Sequence, residues 1–241
     1  MKELQKLLSK LRQGIDHYNM IEDGDVITVG LSGGKDSIAL LYSLAKLRDF
    51  YPKKFSICGV SVDLGFDKSG QMYAETQKFM ADLGIRYEIV STQISEIVFD
   101  ERKEKNPCAL CAKLRRGALI DATKSLGANK LALGHHLNDT VETFMLSLMY
   151  EGRIGCYSPV TVYADNDISV IRPLIYATES EVRSLVKSAN LPVAKNPCPN
   201  DGESRREEMK EYLRLFDKEH RGLYKRIVGA LERGEIDGWH K

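Results

Sequence analysis

An α/β fold, a parallel sheet flanked by helices with a helical C-terminal extension, is the expectation for this chain, and three observations predict it. Short β-rich runs alternate with helical periodicity four times between residues 25 and 151. The first of these runs empties into a glycine loop. At 241 residues the chain is long enough to bury a continuous core without covalent staples. A sheet of this kind is covered on both faces and receives ligands at the carboxyl ends of its strands.

The chain opens with MKELQKLLSKLRQGIDHY, in which Leu4, Leu7, Leu8, Leu11, Ile15 and Tyr18 recur at helical spacing. DVITVGL, residues 25–31, is β-rich and runs directly into glycines, a strand ending in a loop. A helix over 36–50 follows, then a strand over 56–63, a helical segment from about 68 to 84 and a strand over 86–92. A helix from about 109 to 126 precedes a strand over 130–136, KLALGHH, and its helix over 137–151. Residues 160–173 predict two short strands about an Asp-Asn-Asp turn. TESEVRSLVKSANLP then begins a helix whose Thr178 and Glu181 suit a capping box, and 203–235 reads as one or two charged helices.

Composition narrows the function. The formal net charge is +1, so global charge does not mark a polyanion binder and any nucleic-acid surface must be a local patch. The amino-terminal residues form no apolar run of signal length and no membrane span is indicated, so the expected compartment is cytoplasmic, with no membrane partner. Five cysteines, Cys58, Cys108, Cys111, Cys156 and Cys198, are an odd number in a chain without an export signal, which predicts core packing, catalysis or metal ligation rather than disulfides.

The glycine loop GLSGGKDS, residues 30–37, is not the common phosphate loop G-x4-G-K-[ST]. Only three residues separate Gly30 from Gly34, and Asp36 stands where a magnesium-binding hydroxyl belongs. What remains is Ser32, two glycines, Gly33 and Gly34, that let backbone N–H groups approach an anion, and Ser37 in the first helical turn, where the helix dipole favours phosphate. Lys35 adds positive charge, and Asp36 is suited to hold a magnesium ion that bridges phosphates.

NPCALCAKLRRG places Cys108 and Cys111 as a Cys-x-x-Cys pair at the start of a helix. Two thiolates at this spacing chelate one ion or form a redox couple, and the helix N-terminus with Lys113, Arg115 and Arg116 would lower their pKa. Cys198, in the proline-bounded loop KNPCPND, supplies a third thiol. Three thiolates seat either a 4Fe-4S cluster with one iron open or a zinc ion with a fourth ligand from elsewhere. Cys58, inside an apolar strand, and Cys156 read as structural. Residues 100–117 hold six Lys or Arg against three Asp or Glu, a local basic excess that suits phosphate, and Arg115 and Arg116 are placed to position a phosphate group or an RNA backbone. The segment 201–241 carries ten basic and ten acidic residues, which a charged surface helix explains as well as RNA contact does.

S-G-G-x-D-S after a strand resembles the PP-loop of the N-type ATP pyrophosphatases, which cleave ATP between the α and β phosphates and transfer AMP to a substrate oxygen. VSVDLGF puts Asp63 at the end of the second strand, where that family places nucleotide-contacting residues, and GHHLNDTVET resembles its G-H-x-x-D-D stretch. Gly134, His135 and Asp139 match that stretch, and Asn138 replaces its first Asp. The series PP-loop, C-x-x-C-x-x-L-R-R-G, L-G-H-H-x-x-D, I-R-P-L and a late Pro-Cys is similar to the tRNA 2-thiocytidine synthetase family over residues 20–220.

That resemblance implies a cytoplasmic homodimer that makes 2-thiocytidine at position 32 of certain tRNAs, with a 4Fe-4S cluster on Cys108, Cys111 and Cys198. It implies ATP contacts from Ser32, Gly33, Gly34, Lys35, Asp36, Ser37, Asp63, Gly134 and His135, magnesium on Asp36 and Asp139, and catalytic roles for Asp36, Asp139 and Arg115. ATP then activates the C2 oxygen of cytidine, and sulfur arrives from sulfide or a cysteine desulfurase, carried on the open iron or as a cysteine persulfide. The organisation expected is an N-terminal helix over 1–24, a PP-loop domain with the Cys-x-x-Cys insertion over 25–177, and a helical region over 178–241 carrying the third cysteine. Two other readings stay open: a PP-loop enzyme acting on another base or a small substrate, and a non-catalytic ATP-binding redox or metal sensor.

Overall fold

The computed structural model describes residues 1–66, 71–102, 107–194, 197–198 and 205–240. Its strands are β1 Asp25–Gly30, β2 Phe55–Asp63, β3 Arg86–Ser91, β4 Lys130–Ala132, β5 Val160–Tyr163 and β6 Ile168–Ile171, and they form one sheet in the order β3-β2-β1-β4-β6-β5. The helices are α1 Lys2–His17, α2 Lys35–Leu47, α3 Ala74–Asp82, α4 Pro107–Ser125, α5 Leu137–Tyr150, α6 Glu179–Ser188, α7 Arg205–Glu219 and α8 Leu223–Arg233. The start of the segment expected from about 68, the middle of the basic stretch 100–117 and residues 199–204, after Cys198, lie outside the described residues.

Five strands run parallel, from Asp25 opposite Phe55 to Ala132 opposite Ile171. The sixth departs from the expected parallel sheet: β5 pairs with β6 antiparallel, Val160 opposite Ile171. The cause is local. The connection between them is a 3-10 turn, Ala164–Asn166, closed by Asp167 in the left-handed region at φ 53°, and so short a link can only reverse the chain. The hairpin is visible in the residue pattern; its attachment to the edge of the main sheet is not.

Period-two alternation divides the strand side chains between two cores. Ile27, Val29, Ile57 and Ala132 face α1, α2 and α6, while Val60, Val62, Leu131 and Val170 face α4. Leu7, Leu11 and Ile15 of α1, spaced by four, are fully buried in the first core. The Thr178–Glu181 capping box forms as expected, with Glu181 N–H donating to Thr178 Oγ1 and Glu181 Oε2 accepting from Thr178 N–H. A π-helical segment, Glu96–Glu101, precedes α4 and has no sign in the hydrophobic periodicity. The strand expected over 130–136 stops at Ala132, and 133–136 leave the sheet to carry site residues toward α5. Among the described residues no helix is long and apolar enough to cross a membrane.

Candidate active site

A cleft of about 650 Å³ opens at the carboxyl ends of β1, β2 and β4. It lies where β1 has β2 on one side and β4 on the other, the topological switch point of the sheet. The glycine loop forms one wall, Asp63 a second, and Gly134, His135 and Asp139 a third; Arg115 and Arg116 of α4 and Pro197 close the remaining side.

The loop is wired by its own serines. Ser37 Oγ donates to Gly34 O at 3.0 Å and accepts from Ser32 N–H at 3.2 Å, while Gly34 N–H donates to Ser32 Oγ at 3.3 Å. Gly34 is the N-cap of α2, so the first-turn N–H groups of that helix open toward the cleft as an anion site. Gly33 adopts φ +77°, a left-handed conformation that favours glycine, and its carbonyl accepts from Ala194 N–H at 2.9 Å. That bond ties the chain just before Cys198 to the phosphate loop.

At the opposite wall Gly134 touches the start of α2. A Cβ there would stand 2.9 Å from the carbonyl carbon of Asp36, so only glycine permits the approach. His136 caps α5: its Nδ1 accepts from Asp139 N–H at 3.2 Å, and Asp139 Oδ2 accepts from His136 N–H at 2.9 Å. With Nδ1 accepting, a neutral ring carries its proton on Nε2, which lies 3.5 Å from Asp36 Oδ1. Asp36 Oδ1 is buried and has no hydrogen-bond partner among the described residues, an orphaned acceptor suited to a cation. Burial works against ionisation of Asp139, but His136, His135 and Arg206 outweigh it and hold the carboxyl below its ordinary range.

His135 lies against the Tyr157 ring at 4.8 Å between centroids, and its Nδ1 has no partner among the described residues. Burial, with the Arg172 guanidinium nearby, pushes its pKa down to about 3, so the imidazole is neutral. Lys35 Nζ sits 3.1 Å from Asp36 Oδ2 and 3.1 Å from Glu179 Oε1. Asp63, at the end of β2, accepts from Gly65 N–H at 3.0 Å and presents its carboxylate to the cleft.

Cys108 and Cys111 lie in the first turns of α4, whose next turn delivers Ala112, Arg115 and Arg116 to the cleft. Burial raises the Cys111 thiol; Arg115 opposes this, and Cys198 and Cys108 add to it, so the three sulfurs are electrostatic neighbours. The expected lowering at Cys111 therefore does not occur, because burial outweighs its cationic neighbour. Among the described residues no three His, Cys, Asp or Glu side chains are drawn together into a ready metal site. Cys58 is buried in β2, and Cys156 donates to Thr140 O at 3.5 Å, its pKa raised by burial to about 12. Neither lines the cleft.

Two arginines join the site that the residue pattern did not assign. Arg172, buried just past β6, donates to Ser158 O and Thr161 Oγ1, stacks its guanidinium 4.8 Å from the Tyr157 ring and lines the cleft; its signal was the I-R-P-L motif. Arg206, in the first turn of α7, donates to Asp139 Oδ1 at 3.3 Å and Thr143 Oγ1 at 3.0 Å. It lies in the S-R-R-E run, which composition alone cannot distinguish from surface charge. Asn138 is absent from the cleft wall. Its Oδ1 accepts from Glu179 N–H at 2.9 Å, and its side chain lines a separate cavity of about 340 Å³.

Known proteins resemble this chain in sequence and fold. A family profile described as a PP-loop domain matches residues 3–214. The tRNA-cytidine(32) 2-sulfurtransferase of Dechloromonas aromatica is 35% identical over 236 residues, covering 95% of this chain and 81% of the relative. That of Teredinibacter turnerae is 37% identical over 237 residues, covering 96% and 78%. Among solved structures, the U34-tRNA thiolase NcsA from Methanococcus maripaludis with its 4Fe-4S cluster superposes with a TM-score of 0.78 at 26% identity, covering 96% of this chain and 78% of that one.

Proposed function

We infer the reaction from one premise: the chain belongs to the PP-loop family and, within it, to the tRNA-cytidine(32) 2-sulfurtransferases. It is an ATP-dependent tRNA thiolase that replaces the C2 oxygen of a cytidine, the one at position 32, with sulfur. The observation that carries this reading is the bond between Ala194 N–H and Gly33 O, which fastens the approach to Cys198 onto the loop that holds the phosphates. Ala112 and Pro197, the chain neighbours of Cys111 and Cys198, line the cleft, which supports sulfur chemistry next to the nucleotide.

The C2 carbonyl of cytosine is a poor electrophile, and its oxygen is a poor leaving group. Attack of that oxygen on the α-phosphorus of ATP breaks the bond to the β-phosphate, releases pyrophosphate and leaves AMP on the base. Hydrosulfide then adds at C2, AMP departs with the original oxygen, and loss of a proton gives the thiocarbonyl. The α2 N-terminus, Lys35 and the Gly33–Gly34 backbone bind the phosphates, and Arg115 and Arg116 meet the charge that develops on them. His135, neutral beside Tyr157, lines the nucleotide side, as does Asp63. Asp36, with its unpartnered Oδ1, and Asp139 would hold magnesium, which supplies neutralising charge to the departing pyrophosphate.

Cys108, Cys111 and Cys198 would hold a 4Fe-4S cluster. Their mutual influence at Cys111 supports a shared centre. When bound, such a cluster supplies a seat for hydrosulfide beside the activated base. The test is anaerobically purified protein with ATP, sulfide and bulk tRNA. Pyrophosphate and 2-thiocytidine should appear together by mass spectrometry; ATP turnover without a thiolated nucleoside would overturn the reading.

A further inference from the structure

We propose that Glu179 is a positioning residue for the phosphate-loop lysine: its carboxylate, delivered by the first turn of α6, fixes Lys35 Nζ at the mouth of the ATP cleft. This rests on the reading of residues 30–37 as the ATP phosphate site.

Lysine carries a flexible four-carbon stem and three ammonium donors. Left alone at the first position of α2, where the helix dipole disfavours a cation, it would swing into solvent. Two carboxylates hold it instead. Asp36 Oδ2 and Glu179 Oε1 each lie 3.1 Å from Nζ, which leaves one donor for a phosphate oxygen in the cleft.

Glu179 is itself fixed from three directions. The Thr178–Glu181 capping box sets the first turn of α6. Asn138 Oδ1 accepts the Glu179 N–H at 2.9 Å, and Leu137 N–H donates to Ala177 O at 2.9 Å, so the starts of α5 and α6 are joined. Arg183, one turn on, donates to the same Oε1 at 3.0 Å. This explains Asn138 where the family pattern has Asp: the position needs an acceptor for one N–H, and an amide oxygen serves as well as a carboxylate. With Lys35 and Arg183 outweighing burial, the Glu179 carboxyl sits near the bottom of the carboxylate range at about 2, and it stays ionised at neutral pH.

The experiment is a double-substitution cycle on the full holoenzyme, reading ATP affinity by calorimetry alongside kcat, KM and melting temperature. Glu179→Gln removes the charge. Glu179→Asp keeps the negative charge at the start of α6 but draws the carboxylate back by one methylene from Lys35. Both should weaken ATP binding roughly tenfold with melting almost unchanged, and both should have less than about a twofold effect in a Lys35→Met background, as expected for partners in one interaction. A structural role in α6 predicts instead that Glu179→Asp is silent, or that Glu179→Gln lowers melting and affinity equally with or without Lys35. Either result overturns the proposal. If the wild-type protein itself failed to bind ATP, the phosphate-site reading would fall first, and this inference with it.

Discussion

Arg206 donates to Asp139 at 3.3 Å across 67 positions of the chain, and the same guanidinium reaches Thr143 at 3.0 Å. This pairing holds the start of α7 against the α5 turn that lines the cleft. Arg206→Ala should lower pyrophosphate release by at least about tenfold and cost about 1–3 kcal/mol of stability. Arg206→Lys should recover only part of the activity, because one ammonium cannot span both acceptors as a planar fork does. Equal activity in Lys and wild type would show that charge alone is required.

Glu142 is 1% exposed, its Oε2 lies 3.8 Å from Arg206, and that oxygen has no hydrogen bond among the described residues. Burial and the neighbouring Asp139 push its pKa up to about 8, so at acidic pH the folded protein holds a proton that the unfolded chain has released. Its contribution is therefore fully present below the ordinary carboxyl range and is lost as pH rises toward about 8. Glu142→Gln should flatten this fall in melting curves recorded from pH 5 to 9. An unchanged slope would place the titration elsewhere.

His135 carries the opposite sign. Its pKa is depressed from 6.5 to about 3, so its contribution is present above the ordinary imidazole range and declines as pH falls from about 6.5 toward 3. His135→Gln should remove that acid-side loss and weaken ATP binding at every pH. If ATP affinity does not change, His135 is not in the nucleotide wall.

Gly33 combines φ +77° with a neighbour, Ala194 Cβ, only 3.1 Å from where its own Cβ would stand. Gly33→Ala should cost about 1–2 kcal/mol and lower the melting temperature by roughly 2–8 °C. It should also loosen the Ala194 bond, so that iron content and ATP affinity fall together. Loss of one without the other would separate the two functions.

The thiols should differ in reactivity. In iron-free protein at pH 8, iodoacetamide should label exposed Cys108 first and leave Cys58 and Cys156 nearly untouched, the latter held neutral by a pKa near about 12. In cluster-loaded protein Cys108, Cys111 and Cys198 should all be protected. Rapid labelling of Cys156 would contradict its burial.

The alternating β-rich and helical runs made the parallel sheet, the loop after β1 and the Thr178–Glu181 cap legible, because each depends on residues within a few positions of one another. The attachment of the β5–β6 hairpin to the edge of that sheet was not, since period-two alternation names a strand without naming its neighbour. The same distinction separates the site residues. Ser32, Gly33 and Asp36 share one contiguous loop and carry their chemistry in their spacing. Arg206 reaches the cleft, and Glu179 reaches Lys35, from helices far along the chain, and Asn138 departs from the motif in a way explained only by the α6 N–H it accepts. His136, which is not among the matched motif residues, caps α5 and faces Asp36; only the fold brings those groups within 3.5 Å.

Gly134 gives the cleft its stiffness. With its α-carbon seated against the main chain of Asp36, the segment leaving β4 and the first turn of α2 behave as one block, and an alanine there would drive a wedge between them. A larger residue at 134 would therefore displace the Asp36 carboxylate and the first-turn amides of α2 together, so cation and phosphate contacts would be lost in one step.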